Sequence, residues 1–499
     1  MFQYTYIIQG LQTALSLNNI LALIFGTIVG IIVGILPGMG PMVGMVILLP
    51  FSYYLAPSAA LSLLLGIYCG GYFGGAVPAV LVRTPGVPSS IITALDGYPL
   101  TQKGEGQLAL SGAIVGSFSG GIISTIILIT LAPIMAKVAA SFSSPDYFMV
   151  AVFGLVVMVM ANRKRLAQAI VLTCLGLWFS TIGVDNQTLA LRFNFGTVVL
   201  QNGLDIAPMC LGFFGIGQSL LLLERKIIET DNISLSLSKS TLDFRKIWVA
   251  FQHKITLLKS GIIGTAVGIL PGAGSILASF LSYQEAKRSS QHPETFGKGN
   301  VEGCIASEAG NNAVPAGAML PLLTLGIPGD PIAAIMISIF IINGVYPGPL
   351  LLIKEPVLIN TIYFSLFLIN IVAFSLLIFF LKPLAMVVKI PNTYLSLGIM
   401  VLCLLGLYSL NLRIFDMGVA LFMGVVGYIM LRLEWPFVTW VLGMVLGPII
   451  ENRMRESLSL SGGNPLIFLQ SPISLSLFIA TCLVIIIPII IDRHRTRTN

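Results

Sequence analysis

The sequence predicts an all-α polytopic membrane protein of about 12 transmembrane helices, with further re-entrant or broken helices and two inverted-topology repeats. Two observations carry this expectation. Of 499 residues, 56% are hydrophobic and only 9% are charged; mean hydropathy is +0.95, whereas a soluble domain carries about 25% charged residues. One ordered set of proline and glycine marks also occurs twice, from Gly26 to Leu100 and again from Gly264 to Leu350.

The first copy reads GIIVGILPGMGP, then GGYFGGAVPAVLVRTPGVPSS, then DGYPL. The second reads GTAVGILPGAGS, then AGNNAVPAGAMLPLLTLGIPGDP, then NGVYPGPL. Shared in order are a Pro-Gly turn (Pro37-Gly38, Pro271-Gly272), an AVPA element (Ala76 to Ala79, Ala313 to Ala316), a second Pro-Gly turn (Pro85-Gly86, Pro328-Gly329) and a closing Asp/Asn-Gly near a Tyr-Pro. Each mark is expected to break a helix, because proline removes a backbone donor and glycine permits positive φ. In a bilayer, a freed N–H or C=O costs several kcal/mol unless protein or water satisfies it. Kinked helices packed through glycine explain any single mark. A duplicated, ordered set points instead to a transporter's binding site.

Taken in order, Met1 to Asn19 is weakly amphipathic and suits the membrane interface. Ile20 to Leu36, Met42 to Leu55 and Ala59 to Val82 are apolar, and Arg83 to Gly106 holds the second turn and the loop DGYPLTQKGEG. Gln107 to Met135 follows, then Tyr147 to Ala161 and Leu166 to Thr181 joined by the basic loop Arg163-Lys164-Arg165. A polar stretch comes next, then a span from Leu204 to Leu223. A polar linker, 224–259, separates an N-terminal half (1–223, first repeat at about 20–106) from a C-terminal half (260–499, second repeat at about 260–350). After the second repeat, Val357 to Leu381, Leu395 to Leu410, Ile414 to Met430 and Phe437 to Ile450 read as spans. Glu451 to Gln470 reads as a polar loop, and Leu475 to Ile491 as the last span.

The net charge of +7 sits mainly in short loops and at the C-terminus. It therefore reads as membrane orientation, with the tail, the Arg163 to Arg165 loop and the linker cytoplasmic, and not as nucleic-acid binding. Counting spans from these anchors places the loops after the two repeats on opposite sides, which inverts one repeat relative to the other. Six cysteines without a CxxC pair read as packing residues. The N-terminus shows no basic n-region and no small-residue cleavage site, so no removable signal peptide is expected. The chain is not read as an enzyme: its three histidines lie in polar segments without HExxH, and GxSxG and Walker A sequences do not occur. The other transport reading is an anion channel or facilitator without ion coupling, since broken helices also line filters.

The segment GGYFGGAVPAVLVRTPGVPSSIITALDGYPLTQKGEG resembles one signature of the large membrane subunit of the tripartite tricarboxylate transporters. The segment from GILPGAGS through SEAGNNAVPAG to GIPGDP resembles the other. The resemblance implies a multi-pass permease of the bacterial inner membrane. It also implies two partners, a small four-helix membrane subunit and a periplasmic solute-binding protein that captures the carboxylate. Uptake would be driven by an ion gradient without ATP. Ala76 stands where the family often has serine, and Arg83-Thr84 where it often has asparagine, so the family's usual substrate is not carried over.

The residues agree with an anion. Half-helix N-termini offer free N–H donors and partial positive charge, and the turns at Gly38, Gly40, Gly272 and Gly274 would aim them from two sides. Ser275, Ser279 and Thr324 would add hydroxyls, and Arg83 a bidentate contact, although a snorkelling role suits Arg83 equally. Glu308, Asn311 and Asn312 are polar groups amid apolar sequence and are expected to hold the coupling ion, Na⁺ or H⁺. The alternative for them is a buried packing network. No other cofactor is expected. Asp96 reads as a turn-former and Asp330 as a half-helix cap.

Overall fold

In the computed structural model of the chain, residues 4–36, 39–185, 187–224, 242–272, 274–348, 350–386 and 392–498 are described. The fold is all-α. The chain begins with α1 (Tyr4–Ala14), α2 (Leu17–Ile35), α3 (Gly40–Ser52), α4 (Pro57–Val82), α5 (Ala94–Gln102) and α6 (Gly106–Ala139), and the first repeat occupies α2 to α5. Next come α7 (Ser144–Ala161), α8 (Leu166–Phe179), a two-stranded hairpin of β1 (Gly183–Val184) and β2 (Leu191–Arg192), α9 (Ile206–Cys210) and α10 (Gly217–Glu224). A π-helical turn joins α9 to α10. Then come α11 (Phe244–Phe251), α12 (Lys254–Ile269), α13 (Gly274–Ser289), α14 (Val301–Leu325), α15 (Pro331–Ile342), α16 (Leu351–Lys354) and α17 (Pro356–Phe379), and the second repeat runs from within α12 to the end of α15 and the turn after it. The chain closes with α18 (Leu381–Ala385), α19 (Asn392–Asn411), α20 (Ile414–Arg432), α21 (Val438–Leu460) and α22 (Pro472–Thr498). Among the described residues, seven helices are long and apolar enough to cross a membrane, and four shorter apolar helices accompany them. This is a polytopic membrane protein.

Small residues set the packing. α2 runs along α4, and α12 along α14. A Cβ added at Gly30 would lie 2.6 Å from the Ile67 carbonyl oxygen, and one at Gly70 2.6 Å from that of Thr27. In the second repeat, a Cβ at Gly317 would lie 2.7 Å from the Thr265 oxygen. Lipid is as apolar as leucine, so helices in a bilayer associate through such close backbone approach.

The marks at Pro85-Gly86, Pro271-Gly272 and Pro328-Gly329 fall between helices, and Pro37-Gly38 lies outside the described residues. A Cβ on Gly86 would strike the Gly34 carbonyl oxygen, and one on Gly329 that of Gly268, the matching position. α4 ends on Arg83 in the left-handed region (φ 57°), where α14 ends on Gly326 (φ 75°). The AVPA marks differ from expectation, because Pro78 and Pro315 sit inside the unbroken helices α4 and α14. Interior proline removes one hydrogen bond, which neighbouring groups in a bundle compensate; beside Pro315, Ser124 of α6 donates to the Ala313 oxygen at 2.6 Å.

Three other expectations change. Asp96 is not a turn-former: it lies buried in α5 and accepts from the amides of Gly297, Gly299 and Asn300 (2.8–2.9 Å) and from the Tyr283 hydroxyl (2.8 Å). It thereby ties the first repeat to the loop before α14. Of the linker, 225–241 lies outside the described residues and its last part is helical, in α11 and the start of α12. α21 continues to Leu460 through the expected 451–470 loop, because its charges pair along the helix. Arg455 meets Glu451 at 2.7 Å and also reaches Asp185 at 2.8 Å. The amides of Thr188 and Gln187, with Arg455 beside them, hold the Asp185 carboxyl below the usual carboxylate range.

Candidate functional site

A cavity of about 460 Å³ lies where the breaks of both repeats meet. The first repeat contributes Gly40 to Val43 at the start of α3, Tyr72 of α4 and Val87-Pro88 after the second Pro-Gly turn. The second contributes Gly272, Gly274, Ser275 and Ile276 at the start of α13 and Asp330 to Ile332 at the start of α15. Phe213, Phe214 and Phe437 from outside the repeats close an apolar wall, with Met158 and Asn162 of α7 beside it. Apolar walls with a few convergent polar groups are the usual form of a small-molecule site.

Two broken-helix N-termini therefore face one cavity. Gly40, Gly272 and Gly274 have φ of +66°, +80° and +70°, values that favour glycine. No side-chain cap occupies the start of α3, so the Gly40 and Met42 amides remain donors, Pro41 between them having none. The Gly272 amide is already committed, donating to the Gly329 oxygen at 3.0 Å, so the α13 donors begin with Gly274 and Ser275. Ser275 and Tyr72 share a hydrogen bond.

Of the expected anion-site residues, Gly40, Gly272, Gly274 and Ser275 are thus brought together, and Gly38 lies outside the described residues. Three are placed elsewhere. Arg83 is exposed, with its guanidinium 5.9 Å from the centre of the Tyr98 ring. Thr324 is buried and donates to the Leu320 oxygen of its own helix at 2.7 Å; Ser279 donates to the Ser307 oxygen.

Glu308, Asn311 and Asn312 form a second, separate cluster in α14, fully buried or nearly so. The N-terminal half supplies its donors: Ser90 (2.9 Å) and Thr93 (2.5 Å) to Oε1 of Glu308, and Ser117 to Oε2 (3.5 Å). Asn311 and Asn312 add their amide groups at 3.1 and 3.2 Å. The Oδ1 atoms of Asn311 and Asn312 find no partner. A buried carboxylate here has hydrogen bonds but, among the described residues, no ion pair, while two carbonyl oxygens nearby are unmatched. Such a set of oxygens suits a small cation.

The mirrored contact is Tyr68 of α4, whose hydroxyl donates to Asp330. After its second Pro-Gly turn, each repeat thus reaches across to the other's long helix. Beyond the hydroxyls of PGVPSSIIT and the tyrosines of YCGGYF, nothing local marks these cross-repeat partners. The cavity also adjoins a basic vestibule of about 680 Å³ lined by Arg163, Lys164, Arg165 and Glu434; the two share Asn162 and Pro436.

The family model of the Tripartite tricarboxylate transporter TctA family matches residues 20–442. The chain belongs to this family. An uncharacterized 52.8 kDa protein of the TAR-I ttuC' 3' region of Agrobacterium vitis is 34% identical over 472 residues, covering 94% of this chain and 92% of the relative. An uncharacterized protein of the TAR-II ttuC' 3' region of the same organism is 35% identical over 214 residues, covering 43% of this chain and 88% of that protein. No solved structure matches the chain. The TctA match spans both repeats, the whole cavity lining and the Glu308 cluster, and ends at the start of α21. As a TctA-family chain, the protein is a transporter component of a tripartite system, and partner subunits follow from that membership.

Proposed function

We propose that the chain is the permease of an ion-gradient-driven uptake system for di- or tricarboxylate-type organic anions. A periplasmic binding protein delivers the substrate, and a small four-helix membrane subunit completes the complex in the bacterial inner membrane. One observation carries this reading: helix N-termini from both repeats, α3 and α13, face a single cavity whose remaining walls are mainly apolar. An anion there meets backbone donors from both repeats, the arrangement expected of a site at a repeat interface. The adjoining vestibule supports it: Arg163, Lys164 and Arg165 outnumber Glu434, which pairs with Arg165 at 2.8 Å, so this mouth is net positive.

Glu308, Asn311 and Asn312 are the proposed coupling-ion ligands, with the ion being Na⁺ or H⁺. The test is carboxylate uptake into proteoliposomes containing the membrane subunits, with binding protein outside and imposed ion gradients. Uptake is expected to follow the ion gradient without ATP. Asn312→Ala is expected to raise the half-saturating ion concentration about tenfold, the loss of one ligand worth roughly 1.4 kcal/mol. Unchanged ion dependence with uptake intact would make the cluster a packing network. Uptake that ignores every imposed gradient would favour a facilitator.

The Lys and Arg distribution supports a cytoplasmic C-terminus, a cytoplasmic 163–165 loop and inverted repeats. A cysteine placed at Lys164 should resist an impermeant thiol reagent in intact cells and react once they are opened; rapid labelling in intact cells would reverse the assignment.

A further inference from the structure

The cavity wall has the wrong charge for its proposed cargo. Among the described residues that line it, Asp330 is acidic and none is Lys, Arg or His. Asp330 is 1% exposed. Its carboxyl caps α15 by accepting from the Ala333 amide at 2.7 Å, and it accepts from the Tyr68 hydroxyl. The titratable groups facing it are Tyr68 and Tyr72 of α4, with Cys69 between them in sequence. α3 and α15 carry no ionisable side chain. The acids of α14 are engaged elsewhere, Glu302 with Thr256 and Ser290 and Glu308 with the serine and threonine cluster. Neither of them lines the cavity.

We infer that Asp330 is the group through which a monovalent cation, a proton or Na⁺, is coupled to anion binding in this cavity. The inference rests on the carboxylate-site reading given above. Two carboxylates about 6 Å apart, at an effective dielectric constant of about 20, repel enough to weaken binding roughly a hundredfold. A cation on Asp330 removes that repulsion. Anion and cation then each tighten the other's binding by the same factor, because coupling between sites is reciprocal. The arrangement divides the labour. Glu308, away from the cavity, sets the ion dependence of the transport rate, while Asp330 sets that of anion affinity.

The test is Asp330→Asn, which keeps the cap, since asparagine caps helices as well as aspartate does, and keeps an acceptor for Tyr68. Uptake from a panel of succinate, malate, tartrate and citrate identifies the carboxylate that the wild-type complex takes up fastest, and its apparent affinity is then measured in two series. One titrates Na⁺ against choline at fixed pH; the other titrates pH without Na⁺. The wild-type affinity is expected to rise tenfold or more along the series that supplies the coupling cation, and that of Asp330→Asn by less than twofold along both. A wild-type response in the variant overturns the inference. So does failure of the inserted variant to bind at any pH or Na⁺ concentration, which would make Asp330 a cap alone. A wild-type complex that takes up none of the panel overturns the underlying reading and this inference with it. If Gly274→Asp abolishes binding while Asp330→Asn keeps the cation response, the site reading stands and only the coupling role falls.

Discussion

Replacing Gly30 by valine is expected to leave no folded protein in the membrane. Gly30 sits mid-way along α2, where a Cβ would lie 2.6 Å from the carbonyl oxygen and 2.7 Å from the Cα of Ile67 in α4. Both obstacles are backbone, so no side-chain rotation relieves them. To reach an ordinary van der Waals separation, α2 and α4 must part by about 1 Å, and close contact is what holds helices together in lipid. Overpacking of a well-filled core costs about 1–3 kcal/mol. A clash with two backbones exceeds that, a large share of a total stability of about 5–15 kcal/mol. The control is Gly418→Val in α20, where an added Cβ meets nothing within 4 Å and membrane levels should match wild type. The measurement is the amount of detergent-extractable, monodisperse protein. Equal yields of Gly30→Val and wild type would mean that the α2–α4 contact is looser than described.

These glycines also show how far the sequence could be read. The apolar composition, with Pro-Gly turns at matching places, identified the bundle and its breaks, because breaking is a local consequence of proline and glycine. The meeting of Gly40, Gly272, Gly274 and Ser275 was legible for the same reason, since a duplicated break must lie near its counterpart if both build one site. Other features depend on partners distant in sequence. Pro78 and Pro315 look like breaks one residue at a time, yet α4 and α14 continue through them because surrounding helices hold the chain. Asp96 in DGYP has the local chemistry of a turn; only the amides of 297–300, two hundred residues away, make it an anchor. Arg83 appeared beside a break as an anion ligand, but the break turns its side chain out over Tyr98. The aromatic wall of Phe213, Phe214 and Phe437 carried no signal at all, because apolar residues in a membrane protein look alike until they are placed.

Gly274→Asp is expected to abolish carboxylate uptake while the protein folds and assembles normally. Gly274 opens α13, has φ +70°, and offers open space to an added Cβ. Aspartate and asparagine tolerate the left-handed region better than other side chains, and an acid at a helix N-terminus stabilises the helix. The fold therefore has little reason to fail. The cavity does, because the new carboxylate accepts from the first-turn amides proposed for the substrate and sets a fixed negative charge beside it. At about 6 Å and an effective dielectric constant of about 20, the repulsion is on the order of 3 kcal/mol, or roughly a hundredfold in affinity. Gly274→Asn has the same shape without the charge, and should lose no more than about tenfold, the competition for one amide. Proteoliposome uptake with binding protein outside gives both numbers, and co-purification with the partner subunits checks assembly. Equal losses for Asp and Asn would mean that shape, not charge, governs the site. Near-normal uptake by both would remove the α13 N-terminus from the substrate's path and leave the paired Pro-Gly turns as hinges only.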